Sequence, residues 1–366
     1  MAEIESLNFD VLMKISSYLN IQDLRSMGLV CKKWYFVYEY TLKQVNKMLC
    51  IGIILSTCKR SVQIKNKTLE VWGGNSNRLN MPIKTFASEL KKIKIFNENR
   101  RAIIPYSVFK SLAKCKRLNY AEIECCSSRQ LSYFLKYLPT NNLEHLSLSL
   151  RPRYINNNEH PPEILIEDVL SKATKLKSLQ LKNLPIAELL LIWDMEALET
   201  LFIKSIKNPG MNIYMKKFPN LTTLVISGTR LNISVGIAEL MRNCRKLHSI
   251  QIDTYRILSE AILNEMMSLP NLRRLSLSAH ESYDEKWCKF SNLEDIQISQ
   301  WEPYLVTRDE IKSFLRRSEN LKTYDFRFSK NQHFNETIQD VAFNIGHKCK
   351  NEYLPQWTEW CNTVRF

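Results

Sequence analysis

Apolar residues recur along most of the chain as Leu-x-x-Leu-x-Leu or Leu-x-x-Leu-x-Ile, and each recurrence predicts one short strand. In x-Leu-x-Leu-x the two apolar side chains point to one face of the pleat and their neighbours to the other. The clear copies, some with Ile at the second apolar position, are Leu143-x-x-Leu146-x-Leu148, Leu176-x-x-Leu179-x-Leu181, Leu198-x-x-Leu201-x-Ile203, Leu221-x-x-Leu224-x-Ile226, Leu247-x-x-Ile250-x-Ile252, Leu272-x-x-Leu275-x-Leu277 and Leu293-x-x-Ile296-x-Ile298. Weaker copies begin at Leu90, Leu118 and Leu321, and successive starts are 21 to 33 residues apart. Amphipathic stretches at 166–174, 235–244, 258–267 and 310–317 predict helices between strands, the third with Leu258, Ala261, Ile262 and Met266 on one stripe. A unit this short cannot cover its own apolar face. Neighbours must therefore stack, giving a parallel sheet along one side and helices along the other.

The first 45 residues follow another pattern. Residues 4–42 hold 22 apolar side chains, 56% against 45% for the whole chain. Val11, Leu12, Ile15, Tyr18 and Leu19 share a helical stripe, Asp23 is placed to cap a second helix with Leu24 and Met27, and Val30, Trp34 and Val37 mark a third apolar run. Three short helices in so small a segment leave apolar groups wet without a partner.

Two resemblances follow from these residues. Roughly residues 69–345 resemble a leucine-rich repeat solenoid, similar to the subtype of F-box proteins and ribonuclease inhibitor. At that family's Asn/Cys position the chain has Glu98, Cys126, Arg151, Leu184, Ile206, Thr229, Tyr255, His280, Trp301 and Ser329; only Cys126 fits, which predicts irregular turns. Residues 151–162, with three prolines and Asn156-Asn157-Asn158, read as an inserted loop. The string from Leu7 to Leu24, followed by Val30-Cys31-Lys32-Lys33-Trp34, looks like an F-box, departing from it at Asn8 and Asp10. The resemblance implies docking onto the Skp adaptor of a cullin/RING ubiquitin ligase through Leu7, Leu12, Ile15, Leu19, Leu24, Val30, Cys31 and Trp34, as contacts or as the core beneath them. The expected organisation is an α/β chain: F-box 1–45, a linker helix or solenoid cap 46–68, about ten repeats 69–345, and a C-terminal cap or tail 346–366 carrying Tyr353, Leu354, Trp357, Trp360 and Phe366.

On such a sheet the residues between the repeat leucines form lanes open to a protein substrate. Phe202 and Val225 stand out in the central lane, with Lys182, Lys204, Arg274 and Arg327 beside it; Arg274 and Asp295 fall on neighbouring strands where they can pair. Charge is uneven: residues 59–117 carry 15 Lys and Arg against three acids, within a chain of net charge +15. Lys91, Lys92, Lys94, Arg100 and Arg101 form the basic patch of an alternative reading, a scaffold binding RNA or phosphorylated or acidic protein outside any ligase. Nucleic acid ranks low as a partner, because no nucleic-acid motif accompanies the charge.

The remaining chemistry mostly excludes. Eight glycines with a single adjacent pair, Gly73-Gly74, build no phosphate loop, and ten scattered cysteines with six scattered histidines fit no metal or catalytic motif. No cofactor or metal is expected. The longest apolar run, about 48–55, is too short to span a bilayer and no leader is evident, so a cytoplasmic or nuclear, non-enzymatic receptor is the expectation.

Overall fold

In a computed structural model, the described residues are 7–16, 18–19, 21–45, 48–53, 62–65, 68–72, 87, 90–97, 104, 106–125, 128–150, 163–184, 195–204, 218–228, 235–254, 260–279, 290, 292–300 and 308–328. The chain divides into two compact units, Met1–Leu184 and Pro185–Phe366.

The first unit opens with three helices, α1 (Phe9–Ser16), α2 (Ile21–Gly28) and α3 (Lys32–Val45). Strands follow: β1 (Met48–Ile53), β2 (Val62–Lys65), β3 (Thr68–Trp72), β4 (Lys92–Asn97), β5 (Tyr120–Cys125), β6 (His145–Leu150) and β7 (Ser178–Lys182). Helices α4 (Tyr106–Leu112), α5 (Ser128–Tyr137) and α6 (Glu163–Lys172) alternate with the last four. The strand order is β2-β3-β1-β4-β5-β6-β7, parallel except for the β2–β3 hairpin.

The second unit repeats the plan with β8 (Thr200–Lys204), β9 (Thr223–Gly228), α7 (Val235–Asn243), β10 (Ser249–Thr254), α8 (Glu260–Met267), β11 (Arg274–Ala279), β12 (Asp295–Gln300), α9 (Arg308–Arg317) and β13 (Thr323–Phe328). All six of its strands are parallel and pair in chain order. F-box-type helices followed by parallel strands with alternating helices give each repeat segment a solenoid-like α/β arrangement, consistent with a leucine-rich repeat fold.

All ten expected strands form, each two residues after the first leucine of its motif. The alternation decides the faces: Leu146, Leu148 and Leu150 are buried while His145 and Ser149 are half-buried on the other side of β6. On α8 the buried stripe is Ile262, Leu263 and Met266, whereas Ala261 is exposed, which corrects the expected stripe by one position. Within 46–68, the described residues 48–53 and 62–65 are strand and not the linker helix of the first alternative, because the apolar run at Met48–Ile53 is too short for a stable helix and adds instead to the edge of β4. The Asn/Cys positions lie outside the described residues except Leu184, which is buried after Asn183 turns the chain at φ 55°. Asn tolerates that left-handed conformation better than most side chains. The 151–162 loop and the aromatic stretch beyond residue 345 lie outside the described residues.

A different ladder holds successive units together. The carbonyl just before a repeat strand accepts two amides from the following repeat: Asn119 O from Glu144 and His145, Thr222 O from His248 and Ser249, and Arg273 O from Glu294 and Asp295. Asparagines immediately ahead of the repeat leucine reinforce it. Asn142, Asn220 and Asn271 donate Nδ2 to Lys116 O, Glu196 O and Arg245 O at 3.0, 2.7 and 3.0 Å. Lys175 and Lys246 then donate to Asn142 Oδ1 and Asn220 Oδ1. Asn220→Ala is expected to cost about 1 kcal/mol in a urea titration, the usual net worth of such a bond.

Among the helix-side thiols, burial pushes Cys115 up to about 12 and Cys244 up to about 11 from 9.0. Both stay protonated in the folded chain while the unfolded chain ionises first, so stability falls as pH rises above about 9 and is unaffected near neutrality. Denaturation midpoints across pH 8 to about 10.5 are expected to fall more steeply for wild type than for a Cys115→Ala, Cys244→Ala variant.

Candidate adaptor-binding face

Helix α1 enters from Asn8, whose carbonyl accepts the Leu12 amide at 3.1 Å and whose Oδ1 reaches back toward the Asp10 amide at 3.5 Å. An Asn cap thus opens α1, and the first turn is kept. Leu12, Met27, Trp34 and Val37 form a small buried core with Leu7, Met13, Leu19, Cys31 and Tyr38 packed partly against it. Ser16 and Thr41 hydroxyls bond across α1 and α3 at 2.8 Å. At the end of α2, Gly28 lies so close to α3 that a Cβ would stand 3.0 Å from the Tyr38 ring. The three helices are therefore fastened by one modest core.

Much apolar surface is left over. Of the ten large hydrophobic residues exposed among the described residues, nine fall between 9 and 40: Phe9, Val11, Ile15, Tyr18, Leu29, Val30, Tyr35, Phe36 and Tyr40. Leu29, Tyr18 and Val30 are 82, 79 and 63% exposed. Val11 and Ile15 are one turn apart on α1, Phe36 and Tyr40 one turn apart on α3, and the Phe9 ring meets Tyr40 edge-on with centroids 5.9 Å apart. The Tyr35 hydroxyl donates to Glu39 Oε1 at 3.0 Å, and this bond holds the phenol above its ordinary ionisation range. The Trp34 indole N–H is buried with its ring and has no acceptor among the described residues. A concentration of wet aromatic and aliphatic groups this dense marks an interaction site.

Residues 4–37 match the model of the F-box domain. That match supports a chain that binds a Skp-type adaptor and, through it, a cullin, as a component of SCF-type ligases. No curated protein matches the chain. Among solved structures, a protein of Bacteroides fragilis shares 14% identity over 67% of each chain with a TM-score of 0.34.

Within the F-box the expected residues separate by burial. Ile15 and Val30 are exposed, Leu12 and Trp34 are core, and Leu7, Leu19 and Cys31 are intermediate; the Leu24 side chain lies outside the described residues. Phe9, Leu29, Tyr35, Phe36 and Tyr40 belong to the exposed set without having been singled out, although the excess of apolar residues over core volume already signalled them.

The sheet-side candidates are corrected in part. Phe202 and Val225 are buried, 5 and 2% exposed. The register sets them side by side on β8 and β9, about one strand spacing apart, so each covers a flank of the other. Lys204 stands two residues from Phe202, half-buried beside Ser227, while Lys182 belongs to the first unit, beside Ser149. Arg274 pairs with Asp295 at 2.9 Å, as the lane predicts. Arg327 sits beside Ser299 in register. Lys94 is ion-paired with Glu122 at 3.0 Å, and the Lys92 and Lys94 ammonium groups lie 5.8 and 5.4 Å from the Tyr120 ring centroid. Lys91 is exposed; Arg100 and Arg101 lie outside the described residues. Among the described residues there is no cluster of His, Cys, Asp and Glu able to hold a metal, and no helix long and apolar enough to cross a membrane.

Proposed function

We propose that this protein is the substrate-recognition subunit of an SCF-type ubiquitin ligase, non-catalytic itself, with the F-box face on the Skp adaptor and the repeats on a target protein. The carrying observation is the unsealed apolar surface of residues 9–40, which coincides with the F-box match. Two binding events on one chain raise the effective concentration of target lysines near the ubiquitin donor, so the contribution is proximity and no bond is made or broken by this chain. Lys204, half-buried on β8, favours a target with acidic groups, and degradation of that target by the proteasome follows from the ligase role. Such a complex works in the cytoplasm or nucleus.

Affinity purification of wild type beside an Ile15→Asp, Val30→Asp variant tests the reading. The adaptor and cullin are expected to disappear from the variant while target proteins stay. Equal recovery of adaptor by both overturns it.

A further inference from the structure

The helix side of the first unit carries a second surface, distinct from the F-box face. Lys110 on α4, Lys114, Lys116 and Arg117 in the turn after it, and Arg129 and Lys136 on α5 are all exposed. From residue 99 to residue 143 the sequence holds only two acids, Glu122 and Glu124, and both project from β5 on the sheet side. Acids return on α6, where Asp168 is bonded to Lys172 of its own helix at 2.5 Å. An ordinary solvated helix face intersperses both signs, because like charges one turn apart repel. Here Lys110 and Lys114 are four residues apart with no acid near them in sequence.

Three tyrosines sit among these cations. The Tyr106 ring meets Tyr133 and Tyr137 edge-on, with centroids 5.0 and 5.3 Å away, and its hydroxyl bonds that of Tyr137. The Arg129 guanidinium lies 5.6 Å over Tyr133 and donates Nε to its hydroxyl at 3.0 Å. The Lys136 ammonium lies 5.9 Å from the Tyr137 ring centroid. Rings and cations are thereby fixed together as a platform of positive charge. A cation already stands beside the Tyr133 and Tyr137 rings, so what this face chiefly offers a partner is fixed positive charge, for which carboxylates are complementary groups.

We propose that this α4–α5 face docks an acidic segment of a partner protein, its clustered Asp and Glu carboxylates set against Lys110, Arg129 and Lys136. Carboxylates meeting a group of fixed cations relieve the mutual repulsion and gain charge-assisted hydrogen bonds.

The intact chain is titrated with a fluorescein-labelled oligoglutamate peptide and with an oligouridylate of equal charge, at low and at physiological salt. The peptide is expected to bind more tightly than the oligonucleotide and to weaken as salt rises. Lys110→Glu, Arg129→Glu, Lys136→Glu is expected to weaken it by about tenfold to a hundredfold. A variant with the same charge change in the second unit, Arg245→Glu, Arg316→Glu, Arg317→Glu, all exposed, is expected to bind the peptide as wild type does. Circular dichroism confirms folding, and Lys110→Gln, Arg129→Gln, Lys136→Gln replaces the reversal if that variant unfolds. Tighter binding of the oligonucleotide, an equal loss in the second-unit control, unchanged affinity, or no measurable peptide binding overturns the proposal. Adaptor capture, measured on the same variants, reports separately on the F-box face.

Discussion

Replacing Ile15 and Val30 together by aspartate is expected to reduce affinity for a Skp-type adaptor at least about a hundredfold, since two apolar anchors at an interface commonly carry that much. Ile15 lies on α1 one turn from Leu12 but at the edge of the core, and Val30 in the turn before α3, 37 and 63% exposed. Neither belongs to the four-residue core, so the thermal transition is expected to move little. A titration of each protein with purified adaptor, with circular dichroism on the same samples, reads both halves. Loss of binding together with loss of helix would show that these side chains hold the helices and do not meet a partner.

Trp34→Ala is expected to do the opposite. Trp34 is 9% exposed and packs with Leu12, Met27 and Val37, so truncating it removes the largest side chain of the core joining α1, α2 and α3. The typical cost of about 3–5 kcal/mol is comparable with the whole stability of a segment this size, roughly 2–6 kcal/mol. The three helices should unfold while the repeats, held by near-neighbour contacts, persist. Hydrogen exchange confined to residues 7–45, with protection retained at β5, β6 and β9 to β11, is the expected signature. Exchange accelerating evenly along the chain would mean that the helices and repeats fold as one. Adaptor binding fails in this variant too, but for want of a folded module.

These two substitutions separate what the sequence shows from what only packing decides. The heptad-like stripe on residues 11–19 and the Val-Cys-Lys-x-Trp run identify the helices, yet Leu12 and Ile15 belong to one stripe in sequence and to opposite environments in the fold. Which side of a short helix stays wet depends on where its neighbours sit, and one sequence does not carry that. The ten repeat strands were legible because alternate leucines fix the pleat: each copy from Leu90 to Leu321 starts a strand two residues on, whereas β1 to β3 follow no such copy. The lane position of Phe202 and Val225 was legible but their burial was not, because alternation gives the face of a side chain and not what packs over it. The asparagine ladder was not legible, because Asn142, Asn220 and Asn271 bond carbonyls of the preceding repeat, 24 to 26 residues back in sequence. The tyrosine platform on α4 and α5 was likewise invisible, since Tyr106 and Tyr137 are brought together across 31 residues by helix packing.

Solvent protection of the F-box side chains bears most directly on the whole account. Oxidative footprinting of the intact chain, free and saturated with a purified Skp-type adaptor, compares modification at Phe9, Tyr18, Leu29, Tyr35, Phe36 and Tyr40. Strong labelling in the free chain that drops on adding the adaptor, while Tyr106 keeps its reactivity, is the result this account predicts. Weak labelling of those groups in the free chain, or labelling that the adaptor leaves unchanged, would contradict it.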